Sequence, residues 1–327
     1  MNSHRESGRG GRLSFSLARE GADSRVDQVL REVLSPPEHR LSDAERATMS
    51  AMITGLVREI ATVLHHVLGL PAVDEEQLVR VHALLERASF MSDRGLASAL
   101  LLRADGLRFA TMPPAEWAKR LPPALRSIEP RDIAAFHTCL IRRADHGGSA
   151  RLLAADLDAD VRQRLVWSVA SAVELAADDV ADAHLARAVT VACAAFERAG
   201  SIDAAAVRIG TAVARQEHFE TALCDLVVRG DVEIAAAVLS VKLDLPYRTV
   251  LADILDRDGQ ALATLLRAAG LPREAAAQML FTVSEATALQ ALAAFDLSDE
   301  RHAMRTVAHR RRTISDGGSR AAMLGEA

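Results

Sequence analysis

Residues 229–272 read RGDVEIAAAVLSVKLDLPYRTVLADILDRDGQALATLLRAAGLP. Three helical segments fit into this stretch, each closed by punctuation: Gly230-Asp231, Leu245-Pro246, Asp258-Gly259 and Leu271-Pro272. Proline opens a helix without losing a hydrogen bond, and glycine closes one because it tolerates left-handed backbone. Apolar residues recur at intervals of three and four, the period of a helix with one buried face. The expected fold class is all-α, with short antiparallel helices stacked into an irregular helical-repeat array.

Outside this stretch the chain follows the same plan. Its 327 residues are 50% apolar but only 3% aromatic, so the interior must be built from Ala, Leu and Val. Alanine has the best helix propensity of all. Lysine occurs only at Lys119 and Lys242. The Arg and Ala bias reads as the codon usage of a GC-rich bacterial genome.

Residues 1–21 are rich in Gly, Ser and Arg without any period and read as a disordered tail, followed by a short helix over 23–34 that stops at Pro36-Pro37. The first strong helix starts at Ser42, where Ser42-Asp-Ala-Glu45 spells a capping box, and ends at Gly69-Leu-Pro71. Helices follow over 74–88 and 92–103. The Pro-rich segment 104–123 is the expected hinge, and a helix over 130–143 ends at His146-Gly-Gly-Ser149. Beyond Asp158 the pattern turns repetitive, with a last helix over 298–311. The expected organisation is a tail with a short helix (1–40), an N-terminal lobe (41–122), a C-terminal array (123–300), and a basic helix end with a disordered tail (301–327).

Charge is unevenly spread. Of the net −5, residues 301–327 hold six Arg against two acids, and residues 41–300 hold 26 basic against 36 acidic residues. An acidic body repels a polyanion, which argues against a nucleic-acid cradle within the array. Cys139, Cys193 and Cys224 are far apart and form no CxxC pair, as expected for reduced thiols in a cytoplasm. The longest stretch free of Asp, Glu, Lys and Arg is 60–73, too short and too broken to span a bilayer. No apolar leader follows the first arginines. A cytoplasmic location without a membrane span is the expectation.

Two segments carry a family resemblance. Gly230-Asp231, Leu245-Pro246, Gly259-Gln-Ala-Leu262 and Arg267-Ala-Ala-Gly-Leu-Pro272, together with the opening Leu41-Ser-Asp-Ala-Glu-Arg46 and its long helix, resemble the alphaproteobacterial family catalogued as domain of unknown function 2336. The resemblance spans about 41–295. It implies a HEAT-like helical protein with no assigned activity and no functional residues to carry over.

Signatures of chemistry are sparse. A di-iron bundle needs Glu-x-x-His pairs; none occurs, and Asp299-x-x-His302 is the nearest spacing. His65 and His66 point about 100° apart on a helix and cannot share one ion. Gly8-Arg-Gly-Gly11 has no strand before it, and 146–149 reads as a turn. His137 and Cys139 lie on different helix faces, so Cys139 reads as a core thiol. The one sharp electrostatic feature is Arg305 with Arg310, Arg311 and Arg312, which reads either as a solvated helix end, with arginines favourable at the negative pole of the last helix, or as a contact for an anionic partner that modification of Thr313 or Ser315 would switch off. No aromatic residue is interleaved there to stack on bases. No cofactor or metal is expected.

The leading expectation is a non-enzymatic, regulatory scaffold or adaptor presenting a surface to a protein partner. The alternative is a nucleic-acid-associated protein engaging through the basic C-terminal segment alone. An enzyme of the HEAT-like DNA glycosylase type would need a basic concave face, which the acidic body opposes.

Overall fold

The computed structural model describes residues 41–88, 93–110, 112–144, 150–176 and 182–324. The tail and short helix expected at 1–40 and the turn at 146–149 lie outside them. Among the described residues the fold is all-α, with fourteen helices of nine residues or more. The first three are α1 (Asp43–Leu68), α2 (Glu75–Arg87) and α3 (Arg94–Gly106). A single turn at Pro114–Trp117 precedes α4 (Pro130–Arg143), α5 (Ala159–Ala176), α6 (Asp182–Ala199) and α7 (Ile202–Ala214). Then come α8 (Phe219–Val228), α9 (Val232–Leu243), α10 (Tyr247–Leu255) and α11 (Gln260–Ala268). The last are α12 (Arg273–Val283), α13 (Ala288–Leu297) and α14 (Glu300–Leu324).

The punctuation acts as it reads. Ser42 accepts the Glu45 amide at 3.2 Å while the Glu45 carboxylate accepts the Ser42 amide at 2.7 Å. Pro246 and Pro272 are the N-caps of α10 and α12. Among the described residues one non-glycine adopts left-handed backbone: α9 closes on Asp244, at φ 50°. Two helices differ from expectation. The α3 helix is capped by Asp93, which accepts the Leu96 amide at 3.0 Å, and runs on through Arg103 to Gly106. The α14 helix does not stop at 311 but continues to Leu324, since no proline interrupts its backbone ladder.

Packing is by second neighbours as well as by consecutive helices: α7 lies on α9, α11 on α13, α9 on α10, and α12 on α13. Two cores result, and they do not divide at 122/123. The first joins α1, α2 and α3 to α5 and α6, from Met52 to Leu100 and from Leu152 to Phe196. The second takes Phe109, Trp117, Leu125, Ile128, Phe136 and Cys139 and joins them to α7–α14. The chain thus crosses into the second core after α3 and then returns to complete the first. Pro-rich segment 104–123 is no loose hinge. Trp117 in its middle is 3% exposed and lies 5.2 Å from the Phe136 ring. Although α1 is long and apolar enough to cross a membrane, it buries Met52, Leu56, Val57, Ile60, Ala61 and Leu64 in the first core.

Candidate functional site

The four arginines singled out in the sequence do not form one surface. Arg310 grips the buried Asp253 with both terminal nitrogens, one at 2.8 Å. Arg311 pairs with Asp244 at 3.1 Å and donates to the Leu243 carbonyl. These two flank Ala303 and Val307, the buried stripe of α14, and fasten the helix to α9 and α10. Both therefore have partners within the fold, Arg310 through a buried carboxylate and Arg311, itself exposed, through a surface pair. Arg305 and Arg312 remain exposed on the opposite face, in one stripe with Arg301 and His309.

The other candidates resolve by burial. His65 is buried and its Nδ1 donates to the Pro71 carbonyl at 2.7 Å, while His66 is exposed. Asp299 caps α14, accepting the His302 amide at 2.6 Å. Cys139 lies in the second core, where burial pushes its thiol pKa up rather than down. No cluster of three metal-ligating side chains occurs among the described residues.

Between the two cores lies a cleft of about 790 Å³. One side comes from Ala47, Thr48 and Ala51 on α1, and the base from Arg103, Gly106 and Phe109 at the end of α3. Met112, Pro113 and Trp117 face Phe136, Leu140 and Arg143 of α4, and the α8–α9 turn adds Arg229, Asp231 and Glu233. Its size falls within the range of small-ligand and peptide pockets, and its lining of aromatic and aliphatic groups with a few charges is their usual chemistry.

The charges are tied into the fold. Arg143 is 7% exposed; its Nε donates to Asp156 at 2.8 Å, and its Nη1 lies 3.5 Å from Glu233. Burial works to lower the Arg143 pKa, but the Asp156 and Glu233 carboxylates outweigh it and hold the pKa above the ordinary value. The other Asp156 oxygen accepts the Ile202 amide at 3.1 Å, so this carboxylate caps α7 as well. Arg248 bridges Asp203 and Asp158, at 2.8 Å each, and donates to the Asp156 carbonyl. On the opposite side of the cleft, Trp117 Nε1 donates to Asp231 at 2.6 Å, and Arg229 pairs with that carboxylate at 3.2 Å. Burial raises the Asp231 pKa, with the Trp117 and Arg229 hydrogen bonds opposing.

None of these cleft residues stands out in the sequence as chemistry, but one signal was present. Phe136, Cys139 and Arg143 follow a single helical face of α4, so a charge occupies a core position and must find a buried partner. Comparison with protein-family models, with curated proteins and with solved structures finds no match to the chain.

Proposed function

We propose that the chain is a non-enzymatic, HEAT-like adaptor of the cytoplasm that receives a segment of a protein partner in the cleft between its cores. Membership of the family catalogued as domain of unknown function 2336 is part of the same reading, supported by the punctuation of 229–272 and the opening at 41–46. The observation that carries it is the cleft itself. It is open, its apolar lining comes from both cores, and its charged side chains other than Arg103 are held by ion pairs within the fold. Preorganised walls of this kind lower the ordering cost of binding.

A photo-crosslinking residue at Met112, in the cleft, is compared with one at Val79, which is 66% exposed on α2. In a bacterial lysate the cleft probe is expected to capture a discrete protein that the α2 probe does not. Gly106→Leu should abolish the capture. A Cβ at Gly106 meets nothing within 4 Å, so the added side chain fills the cleft without straining α3. Identical capture profiles from the two probes would overturn the reading.

A second reading is favoured by the exposed stripe of Arg301, Arg305, His309 and Arg312. It makes α14 a contact for nucleic acid, through counterion release. Binding that weakens with salt and is lost in the Arg305→Ala, Arg312→Ala double variant supports it; unchanged binding removes it.

A further inference from the structure

The charges of the cleft are matched except at one point. Arg143 is held by Asp156 and Glu233, and Arg229 by Asp231. Arg103 lines the same cleft and the small adjoining cavity of about 30 Å³. It has no carboxylate partner among the described residues. Its Nε donates to the Arg151 carbonyl at 3.0 Å, which fixes the plane of the guanidinium and leaves its two terminal nitrogens without a hydrogen bond among those residues. Burial, and then the nearby Arg143, lower the Arg103 pKa to about 10 against the opposing pull of Glu233 and Asp156, as for a partly desolvated cation that no carboxylate touches directly. Phe109, Met112 and Trp117 line the cleft with it.

A planar guanidinium matches a carboxylate through two parallel hydrogen bonds, and low water access strengthens such a pair. Asp231 and Glu233 line the same cleft, which disfavours a phosphate or any dianion. We infer that Arg103 is the receptor for a single carboxylate carried on an apolar body, with the carboxylate on the terminal guanidinium nitrogens and the body against Phe109, Met112 and Trp117. The inference rests on the cleft being a binding site, not on the occupant being a protein. Its chemistry is common to a free aliphatic acid and to the carboxyl end of an apolar peptide.

The chain's two tryptophans give a direct readout. Trp117 lines the cleft, whereas Trp167 is 38% exposed elsewhere, so Trp167→Phe in the full chain leaves emission from the cleft alone. This protein is titrated with decanoate against 1-decanol, and with acetyl-Ala-Leu-Ala-Phe-Leu bearing a free carboxyl end against its C-terminal amide. In at least one pair the acid is expected to bind about tenfold or more tightly than its neutral counterpart. Arg103→Met should erase that difference while leaving the neutral probe unchanged, and Arg103→Lys should restore part of it. Preference for decanoate assigns a free acid and preference for the peptide a chain end; both uphold the role of Arg103. Equal binding of acid and neutral probes in both pairs overturns it, as does full acid affinity in Arg103→Met or no saturable change with any probe. If decanoate binds through Arg103 while Met112 cross-links nothing, the protein-docking reading fails and the carboxylate site stands.

Discussion

Arg143 is the residue on which the junction between the cores depends. The buried carboxylate of Asp156 and the partly buried one of Glu233 converge on it, and Asp156 also holds the first amide of α7. Removing one member of such a group is costly, because the remaining charges keep their desolvation penalty without compensation. Arg143→Met is expected to destabilise the fold by about 3–5 kcal/mol, read as a lower urea midpoint at an unchanged slope. Asp93 works at a smaller scale. It caps α3 and pairs with Arg164 at 2.9 Å. Burial raises its pKa, yet the Leu96 amide and Arg164 outweigh this, and the net shift is downward. A depressed carboxyl pKa stabilises the fold above its unfolded value, and that contribution is lost as pH falls through the folded value. Asp93→Ala should therefore cost about 1 kcal/mol at neutral pH, and its deficit should shrink as the pH is lowered below the ordinary carboxylate range. A deficit independent of pH would leave only an uncharged capping role. Local contacts of this kind are legible in sequence: the Ser42–Glu45 box joins residues only three apart. The Arg310–Asp253 clamp spans 57 residues, and no spacing rule announces it.

At the scale of elements, α7 and α9 cross closely through a glycine. Gly210 faces Ala237, and a Cβ there would lie 2.5 Å from the Ala237 Cβ and 2.7 Å from its carbonyl carbon. Replacing glycine within a helix by alanine ordinarily gains about 1 kcal/mol. Here the overlap is with backbone, and overpacking of that kind costs about 1–3 kcal/mol, so the clash wins. Gly210→Ala should lower the thermal midpoint while Gly55→Ala, in open space on α1, raises it. Matching shifts would show that α7 and α9 can separate freely. The sequence makes such helices visible because apolar period and caps are local properties. It hides which helix covers which, and the reach of α14 to Leu324 across Gly317-Gly318 runs against the local propensity of glycine.

For the molecule as a whole, interleaving of the cores decides how it unfolds. Residues from Phe109 to Cys139 complete the second core, while residues from Leu152 to Phe196 complete the first. Periodicity tells which face of a helix is buried but not which core receives it, and so the expected boundary at 122/123 fell inside a packed segment. The cleft was illegible for the same reason: its walls come from α1, α3, α4 and the α8–α9 turn, brought together only by the crossing. Helical circular dichroism and Trp117 emission should report one shared unfolding transition. Two separated transitions would mean that the cores are energetically independent despite the crossing.

That crossing also bears on the order in which the chain emerges from the ribosome. When synthesis has reached Arg143, α1 to α3 still lack α5 and α6, and Phe109, Trp117 and Phe136 still lack α7 to α13. The nascent chain at that stage carries two unfinished apolar surfaces and no finished one. Domain-by-domain folding during translation, the usual protection for a multilobed protein, cannot begin until α6 has supplied Phe196 to the first core. Nearly half of the polypeptide must wait, exposed to chaperones and proteases, for partners not yet made.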